Sequence, residues 1–141
     1  QRVSNANVKV NEEIVGKIEN GFVVLLGVQN GDTKENADYL VKKITALRVF
    51  SDENDKMNLS LKDVNGSLLV VSQFTLCADC VKGNRPSFSG AADPKLANEL
   101  YEYFVSECRK LDSKVETGIF GANMKLNLTN DGPVTIILEK Y

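Results

Sequence analysis

The sequence contains no histidine and no tryptophan among its 141 residues, and only three cysteines and three prolines. Histidine is the side chain whose unperturbed pKa lies closest to neutral pH. Its absence excludes Ser-His-Asp triads, Cys-His dyads and zinc sites that use histidine. Any proton transfer that this chain catalyses must therefore use another titratable side chain, the backbone, water or a group on the substrate.

Long hydrophobic runs are also absent. The longest run, residues 22–27, has the length of a buried strand and falls far short of the ~18 residues needed to cross a membrane. We therefore expect no membrane-spanning segment. Three cysteines are too few for a disulfide framework in a chain of this size, which favours a reducing cytoplasm.

The charges nearly balance, with 19 acidic and 17 basic residues and a net charge of −2. No overall positive field would hold such a chain along a nucleic acid, so we expect any nucleic-acid contact to be local and we expect no DNA partner. The length and the 43% hydrophobic content indicate one domain over residues 1–141 that can bury its own core.

Hydrophobic spacing predicts seven strands and two helices in the order β-β-β-α-β-α-β-β-β. Asp32 with Glu35 resembles a capping arrangement for a helix that ends near Leu47, and Asp93 followed by Pro94 predicts the start of the second helix. Residues 51–58 are predicted to be a loop. The predicted strands are residues 3–10, 14–18, 22–28, 67–76, 115–117, 124–129 and 134–138.

This element order predicts the fold class. Only two helices stand among the seven strands, and several connections have the length of hairpins. We therefore expect an α+β fold in which two helices pack on a mainly antiparallel, barrel-like sheet.

Cys77 and Cys80 form a CxxC pair, which is typical of a redox site or of half a zinc site. Cys108 is the only further thiol, and without histidine four zinc ligands cannot be completed. The pair also follows a predicted strand instead of opening a helix, as a thioredoxin-like redox pair would. We assign it no function.

The connection between the predicted strand and the second helix, residues 77–93, is longer than structure alone requires. It contains Lys82, Arg85 and Phe88, a combination that suits contact with a phosphate and stacking on a base. The alternative is an ordinary exposed loop. We take Lys82 and Arg85 as candidate contacts to RNA.

Two polar segments mark a candidate site. Residues 72–75 end a hydrophobic strand, where hydroxyl, amide and backbone N–H groups could line a pocket or could simply satisfy nearby backbone. Residues 130–133 end in Gly132-Pro133 and are typical of a hairpin turn. Because only about 5–6% of X-Pro bonds in folded proteins are cis, residue chemistry alone favours a trans bond there.

The same two segments, residues 72–76 and 130–135, resemble the paired signatures of the D-aminoacyl-tRNA deacylases, also called D-Tyr-tRNA deacylases. The resemblance implies a homodimeric α+β, barrel-like fold that acts in the cytoplasm without a metal or organic cofactor. It implies hydrolysis of the ester that joins a D-amino acid, or glycine, to the 3′-terminal adenosine of tRNA. Further matches occur in chain order at residues 1–3, 56–58, 85–88 and 117–122.

The resemblance also implies how the substrate is selected. Gly132-Pro133 is expected to be cis and to project into the pocket of the partner subunit, where backbone carbonyls receive the α-ammonium and exclude an L side chain. Arg2 corresponds to an arginine that orients this loop. Phe88 corresponds to the loop around the adenosine, and Met124 lies in Asn-Met where the family more often has Asp-Met.

For the chemical step, the resemblance implies that the backbone N–H groups of Phe74 and Thr75 form an oxyanion hole, with Ser72 and Gln73 in the same wall. The Thr75 hydroxyl is an alternative nucleophile, but the chain has no histidine to activate it. The resemblance favours substrate-assisted catalysis, in which the 2′-hydroxyl of the adenosine helps to activate water.

Two other functions fit the sequence. The first is a non-catalytic module that binds the tRNA end or a D-amino acid. The second is a structural dimer in which the CxxC pair senses the redox state.

Overall fold

A computed structural model describes residues 1–111 and 113–141. The strands are β1 (Arg2–Val10), β2 (Glu13–Ile18), β3 (Gly21–Leu26), β4 (Phe50–Ser51), β5 (Met57–Leu59), β6 (Ser67–Ser72), β7 (Lys114–Thr117) and β8 (Lys125–Asn130). The helices are α1 (Lys34–Ala46) and α2 (Pro94–Lys110), and a 3₁₀ turn spans Phe74–Cys77.

Six of these strands form one mixed sheet that curls into a nearly closed barrel. The strand order is β2-β1-β3-β6-β7. The sixth strand, β8, lies off this path and also pairs with β1. The curl of the sheet brings Gly16 of β2 close to β7. A Cβ at this position would lie 2.5 Å from the carbonyl oxygen of Thr117, so the two strands can come this close only because residue 16 is glycine.

The expected mainly antiparallel sheet is only partly right, because the sheet is mixed and two of its five strand pairings are parallel. The pairs of β1 with β2, β3 and β8 are antiparallel, whereas β3 with β6 and β6 with β7 are parallel. The reason lies in the connections, because α1 follows β3 and α2 follows β6. A crossover that contains a helix returns the chain to the same end of the sheet, which makes the next strand parallel.

The core lies on both faces of β3 and β6, whose side chains alternate between them. One cluster fills the space between the sheet and the two helices, and the other fills the barrel interior. The helix-facing cluster includes Phe22, Val24, Leu26, Leu68, Val70, Tyr101, Phe104 and Cys108. The interior cluster consists of Val3, Ala6, Val8, Ile18, Val23, Leu69 and Val71.

The cap of α1 differs from the prediction by one residue. Thr33, not Asp32, is the N-cap, and the Thr33 N–H donates to the side-chain oxygen of Asn36 at 2.9 Å. Asp32 instead accepts the N–H of Gln29 at 2.7 Å, which closes the turn before the helix. The capping pattern therefore exists, but its acceptor is an amide and not the carboxylate of Glu35.

The start of α2 is as predicted. The Asp93 carboxylate accepts the N–H groups of Lys95 and Leu96 at 3.0 and 3.1 Å, and Pro94 occupies the first turn. Within the described residues, neither helix is long and apolar enough to cross a membrane.

Two predicted strands end earlier than expected, and one predicted loop contains strands. The predicted strand 22–28 ends at Leu26, and 67–76 ends at Ser72 because the chain then enters the 3₁₀ turn. The predicted loop 51–58 contributes to the short antiparallel pair of β4 and β5.

The predicted strand at residues 134–138 is wrong, since this segment is not part of any sheet in the described chain. The Val134 carbonyl accepts the N–H of Arg2 at 3.0 Å, and the Val134 N–H donates to the Asn130 side chain at 3.1 Å. These bonds direct the chain away from β8. Farther on, the Asn36 side chain donates to the Lys140 carbonyl at 3.0 Å, which ties the segment to α1.

Tyr101 provides a direct test of the contact between α2 and the sheet. Its side chain is 6% exposed, burial raises the pKa of its hydroxyl, and the hydroxyl donates to the Val70 carbonyl at 2.7 Å. We expect Tyr101→Phe to lower the free energy of unfolding by about 1 kcal/mol, because one buried hydrogen bond is lost. Urea denaturation at a fixed protein concentration measures this change.

Tyr39→Phe is the matched control, because the exposed Tyr39 hydroxyl makes no hydrogen bond to the described residues. We expect this variant to unfold like the wild type. Equal stability of the Tyr101 and Tyr39 variants would contradict the role given to the buried hydroxyl.

Candidate functional site

Three strands end together on one side of the sheet. Because β3, β6 and β7 are mutually parallel, Leu26, Ser72 and Thr117 lie at the same edge, which we call the carboxyl edge. Ligand sites of parallel sheets form beyond the carboxyl ends of the strands. The segment 72–75, singled out from the sequence, therefore lies where such a site is expected.

The 3₁₀ turn folds back over the end of β3. The Gln73 N–H donates to the Leu26 carbonyl at 2.8 Å, and the turn begins at the next residue. Gly27 makes room for it, since a Cβ at this position would lie 3.2 Å from the Cβ of Leu76 and 3.3 Å from the carbonyl oxygen of Gln73. The turn is thus fixed by contacts to the neighbouring strand.

Two backbone donors of this turn are free. Over residues 1–111 and 113–141, the N–H groups of Phe74 and Thr75 donate to no protein acceptor. The Thr75 hydroxyl accepts a hydrogen bond from the side-chain amide of Gln73, and half-buried Ser72 ends the strand beside it. Adjacent free N–H groups of this kind can bind a developing oxyanion.

Phe88 reaches this turn from the long connection. Its ring lies edge-on to Phe74, with ring centroids 5.0 Å apart and an interplanar angle of 66°. Phe74 is 56% exposed and Phe88 is 37% exposed, so much of the aromatic pair remains open to solvent. An exposed aromatic pair offers a surface on which a base can stack.

The tip of the connection carries the two candidate RNA contacts. The backbones of Asp79 and Ser87 exchange hydrogen bonds of 2.7 and 2.9 Å, which closes the loop below the tip. Lys82 and Arg85 are exposed in the tip. The structure therefore places both cations on the same loop as Phe88.

Met124 lies at the carboxyl edge on the side of β7. Its side chain packs against the interior cluster, beside Gly118. A Cβ at residue 118 would lie 2.5 Å from the Met124 sulfur and 3.8 Å from the nearest methyl carbon of Val71. Val71 directly precedes Ser72, so Met124 is close to the strand end that carries the turn.

Gly132-Pro133 is cis. The expectation of a trans bond from base rates is wrong, and the cis bond implied by the resemblance is confirmed. The loop is held by Arg2, whose Nε donates to the Asp131 carbonyl at 3.1 Å and whose Nη1 donates to the Val49 carbonyl at 2.6 Å. The Arg2 side chain is 11% exposed, so its guanidinium is a largely buried clamp on the loop.

Within one chain, the loop and the turn do not meet. Arg2 pairs with Phe22 at the start of β3, whereas the turn follows Leu26 at its end. The four intervening steps of strand correspond to about 13 Å. The two halves of the candidate site therefore lie at opposite ends of the sheet.

The C-terminal segment, residues 134–140, stands away from the sheet. Together with β3 and α1 it encloses a cavity of about 470 Å³, which is lined mainly by apolar side chains. In the described chain, the backbone groups of residues 135–139 have no hydrogen-bond partner. Ile137 is 83% exposed, so the segment presents an open strand-like edge to solvent.

Sequence reasoning missed Gly27 and Gly118, which shape the carboxyl edge. Each directly follows a strand, and each leaves a space that another part of the site fills: the 3₁₀ turn at Gly27 and the thioether of Met124 at Gly118. At Gly27 the available signal was a glycine at the end of a hydrophobic run, which often marks a close approach of the chain. Gly118 follows Lys-Val-Glu-Thr and carried no such signal.

All three cysteines are free thiols. Burial raises the pKa of the Cys77 thiol, the negative charge of Asp32 raises it further, and the sulfur lies 3.6 Å from the Val28 carbonyl oxygen. A raised pKa disfavours the reactive thiolate. The geometry thus gives no support to the redox alternative for the CxxC pair.

Comparisons with known proteins agree over the whole chain. The profile of the family D-Tyr-tRNA(Tyr) deacylase matches residues 1–139. The D-aminoacyl-tRNA deacylase of Thermosipho africanus (strain TCF52B) is 60% identical over 99% of this chain and 93% of its own length. That of Photorhabdus laumondii subsp. laumondii is 58% identical over 99% of this chain and 96% of its own length.

Two solved structures are similar. The c-Myc DNA unwinding element binding protein has a TM-score of 0.93 and 42% identity, covering 100% of this chain and 96% of its own. A probable eukaryotic D-amino acid tRNA deacylase has a TM-score of 0.75 over 93% of this chain and 91% of its own, and at 18% identity it shows the fold alone. With the family profile matched from end to end and curated relatives near 60% identity, the chain belongs to the D-Tyr-tRNA(Tyr) deacylase family.

Proposed function

We propose that residues 1–141 act as one domain that removes D-amino acids and glycine from the 3′ end of tRNA and spares L-amino acids. The chain is a D-aminoacyl-tRNA deacylase, a hydrolase, by its family membership. The glycine substrate, the mode of chiral selection and the two-chain site are the proposal. The observation that carries the chemistry is the pair of free N–H donors at Phe74 and Thr75.

In the chemical step, water attacks the carbonyl carbon of the ester. The carbonyl oxygen becomes an oxyanion and accepts hydrogen bonds from the N–H groups of Phe74 and Thr75. The bond to the 3′ oxygen of the adenosine then breaks, that oxygen takes a proton, and the free amino acid leaves. Fixed backbone donors suit this step because they need no reorganisation as the charge develops.

At the turn, the described residues supply no evident base for this water. Histidine is absent, and the hydroxyl of Thr75 is bonded to an amide, which cannot take its proton. We assign the activation of water to the 2′-hydroxyl of the terminal adenosine, a group that every substrate tRNA carries. The substrate thus supplies what the side chains lack.

Chiral selection is assigned to the Gly132-Pro133 loop of a second copy of the chain. Arg2 holds this loop at the start of β3, away from the turn of its own chain. Exchange between two chains would bring a loop to each turn. Rigid backbone carbonyls can then bind the α-ammonium and leave no space for an L side chain, while glycine has no side chain to exclude.

The open C-terminal edge supports a homodimer. Residues 135–139 have unpaired backbone groups in the described chain, and Ile137 is 83% exposed. Such an edge is a template for pairing with another chain, and an exposed isoleucine on it favours burial in an interface.

The tRNA partner is expected to contact Lys82 and Arg85, next to the aromatic pair. Local contact with the 3′ end fits a chain whose net charge is −2. We propose the cytoplasm as the location.

Replacing both cations tests the RNA contact. In assays of D-Tyr-tRNA and L-Tyr-tRNA hydrolysis, Lys82→Ala with Arg85→Ala should raise KM and leave the preference for D esters unchanged, because phosphate contacts carry no stereochemistry.

The proposed function predicts a selective time course. Purified protein should hydrolyse D-Tyr-tRNA and Gly-tRNA and leave L-Tyr-tRNA at the uncatalysed rate, because only the L side chain meets the loop. A D ester on a tRNA that ends in 2′-deoxyadenosine should be protected. Release of labelled amino acid measures all four reactions.

Intact D and Gly esters after prolonged incubation would contradict the proposal. If those esters bound the protein without turnover, the non-catalytic binding module would be the better description. Hydrolysis of the L ester at the D rate would reject exclusion by the loop.

A second prediction separates backbone from side chain at the turn. Thr75→Ala should retain substantial activity, because it keeps both N–H donors. Phe74→Pro should lose about 10²–10³ in kcat, because proline removes one donor. Proline suits the first position of the turn, because the preceding Gln73 has φ −141° and ψ 78°, outside the α region that a following proline disfavours.

Phe74→Ala is the matched control, since it removes the same ring but keeps the N–H. It should lose far less kcat than Phe74→Pro, and steady-state kinetics of the three variants measure this order. Near-complete loss in a folded Thr75→Ala variant would instead identify a side-chain nucleophile.

A further inference from the structure

Gly118 is a glycine for reasons of space. It does not have a positive φ, so its backbone conformation is open to other residues. The space that a Cβ would need is occupied by Met124, whose sulfur would lie 2.5 Å from it. Ordinary contact between such atoms needs about 3.5–4.0 Å. Any side chain at residue 118 must therefore displace the thioether.

The position of this contact relates it to the site. Gly118 follows β7 at the carboxyl edge, and its N–H donates to the Val70 carbonyl at 3.3 Å. Met124 packs against the cluster that contains Val71, the residue before Ser72. The backbone around this contact is held by the sheet, whereas the thioether is the flexible end of a long side chain.

We propose that the absence of a side chain at Gly118 is a specificity determinant, because it allows the Met124 thioether to lie against the end of β7 and so sets the clearance of the aminoacyl pocket. This inference rests on the proposed function. A methyl group at residue 118 would push the thioether away from β7 by about 1 Å or more. The pocket at the carboxyl edge would then lose room for the side chain of the substrate.

The effect depends on the size of the amino acid. The side chain of a D-tyrosyl ester needs the space beside the Met124 thioether, whereas a glycyl ester has no side chain to place there. One methyl group in a pocket changes discrimination by about 10-fold or more. We therefore expect Gly118→Ala to lower kcat/KM for D-Tyr-tRNA by about 10-fold, chiefly through KM, and to change Gly-tRNA hydrolysis by less than about 3-fold.

A double-variant cycle tests whether Gly118→Ala acts through Met124. Met124→Ala removes the thioether that Gly118→Ala displaces. The double variant should therefore match Met124→Ala to within about 3-fold on D-Tyr-tRNA. Thermal unfolding of each variant accompanies the kinetics, so that a loss of folded protein is not read as a loss of clearance.

Gly90→Ala is the matched control, since a Cβ there meets no heavy atom within 4 Å and Gly90 has no positive φ. It should behave like the wild type. Three results would overturn this inference but not the proposed function. They are no effect of Gly118→Ala, an equal loss of kcat/KM on D-Tyr-tRNA and Gly-tRNA, or a loss from Gly118→Ala that is the same in the wild-type and Met124→Ala backgrounds. A wild-type protein that hydrolyses neither ester would overturn the proposed function and this inference with it.

Discussion

The parallel course of β3, β6 and β7 determines where every part of the site can lie. It brings the ends of the three strands to one edge, where the 3₁₀ turn presents the free N–H groups of Phe74 and Thr75. The same arrangement places the antiparallel partner β1, and with it Arg2 and the Gly132-Pro133 loop, at the other end of β3. The turn and the loop of one chain therefore do not meet, and the site that we propose needs a second chain.

Backbone contacts hold the turn, and one largely buried side chain holds the loop. Gly27 allows the turn to pack on the end of β3, and Arg2 donates hydrogen bonds to the Asp131 carbonyl of the loop and to the Val49 carbonyl. Rigid backbone groups suit chiral exclusion, because they cannot move aside for an L side chain as a flexible side chain would. The lack of histidine is consistent with this design, since the substrate itself carries a hydroxyl next to the reacting ester.

The sequence predicted what depends on local pattern and missed what depends on pairing. Helix α2 and most strand positions follow from hydrophobic spacing, but spacing does not state which strands are neighbours, so the two parallel pairings were missed. Residues 134–138 have the composition of a strand, yet in the described chain they lack a partner, because the Val134 carbonyl bonds to Arg2. The resemblance, and not residue chemistry, indicated the cis Gly132-Pro133 bond.

If each site combines the turn of one chain with the loop of another, as we propose, mixed dimers of two damaged variants should regain activity. Phe74→Pro damages only the turn. Gly132→Ala damages only the loop, where a Cβ would lie 2.9 Å from the Arg2 guanidinium at a φ of +122°. Each variant alone should be nearly inactive on D-Tyr-tRNA, whereas equal mixing after co-expression should restore about a quarter of wild-type activity, because half of the dimers are mixed and each has one intact site. Mixed dimers, verified by differential tags, that stay as inactive as their parents would rule out a site shared between two chains.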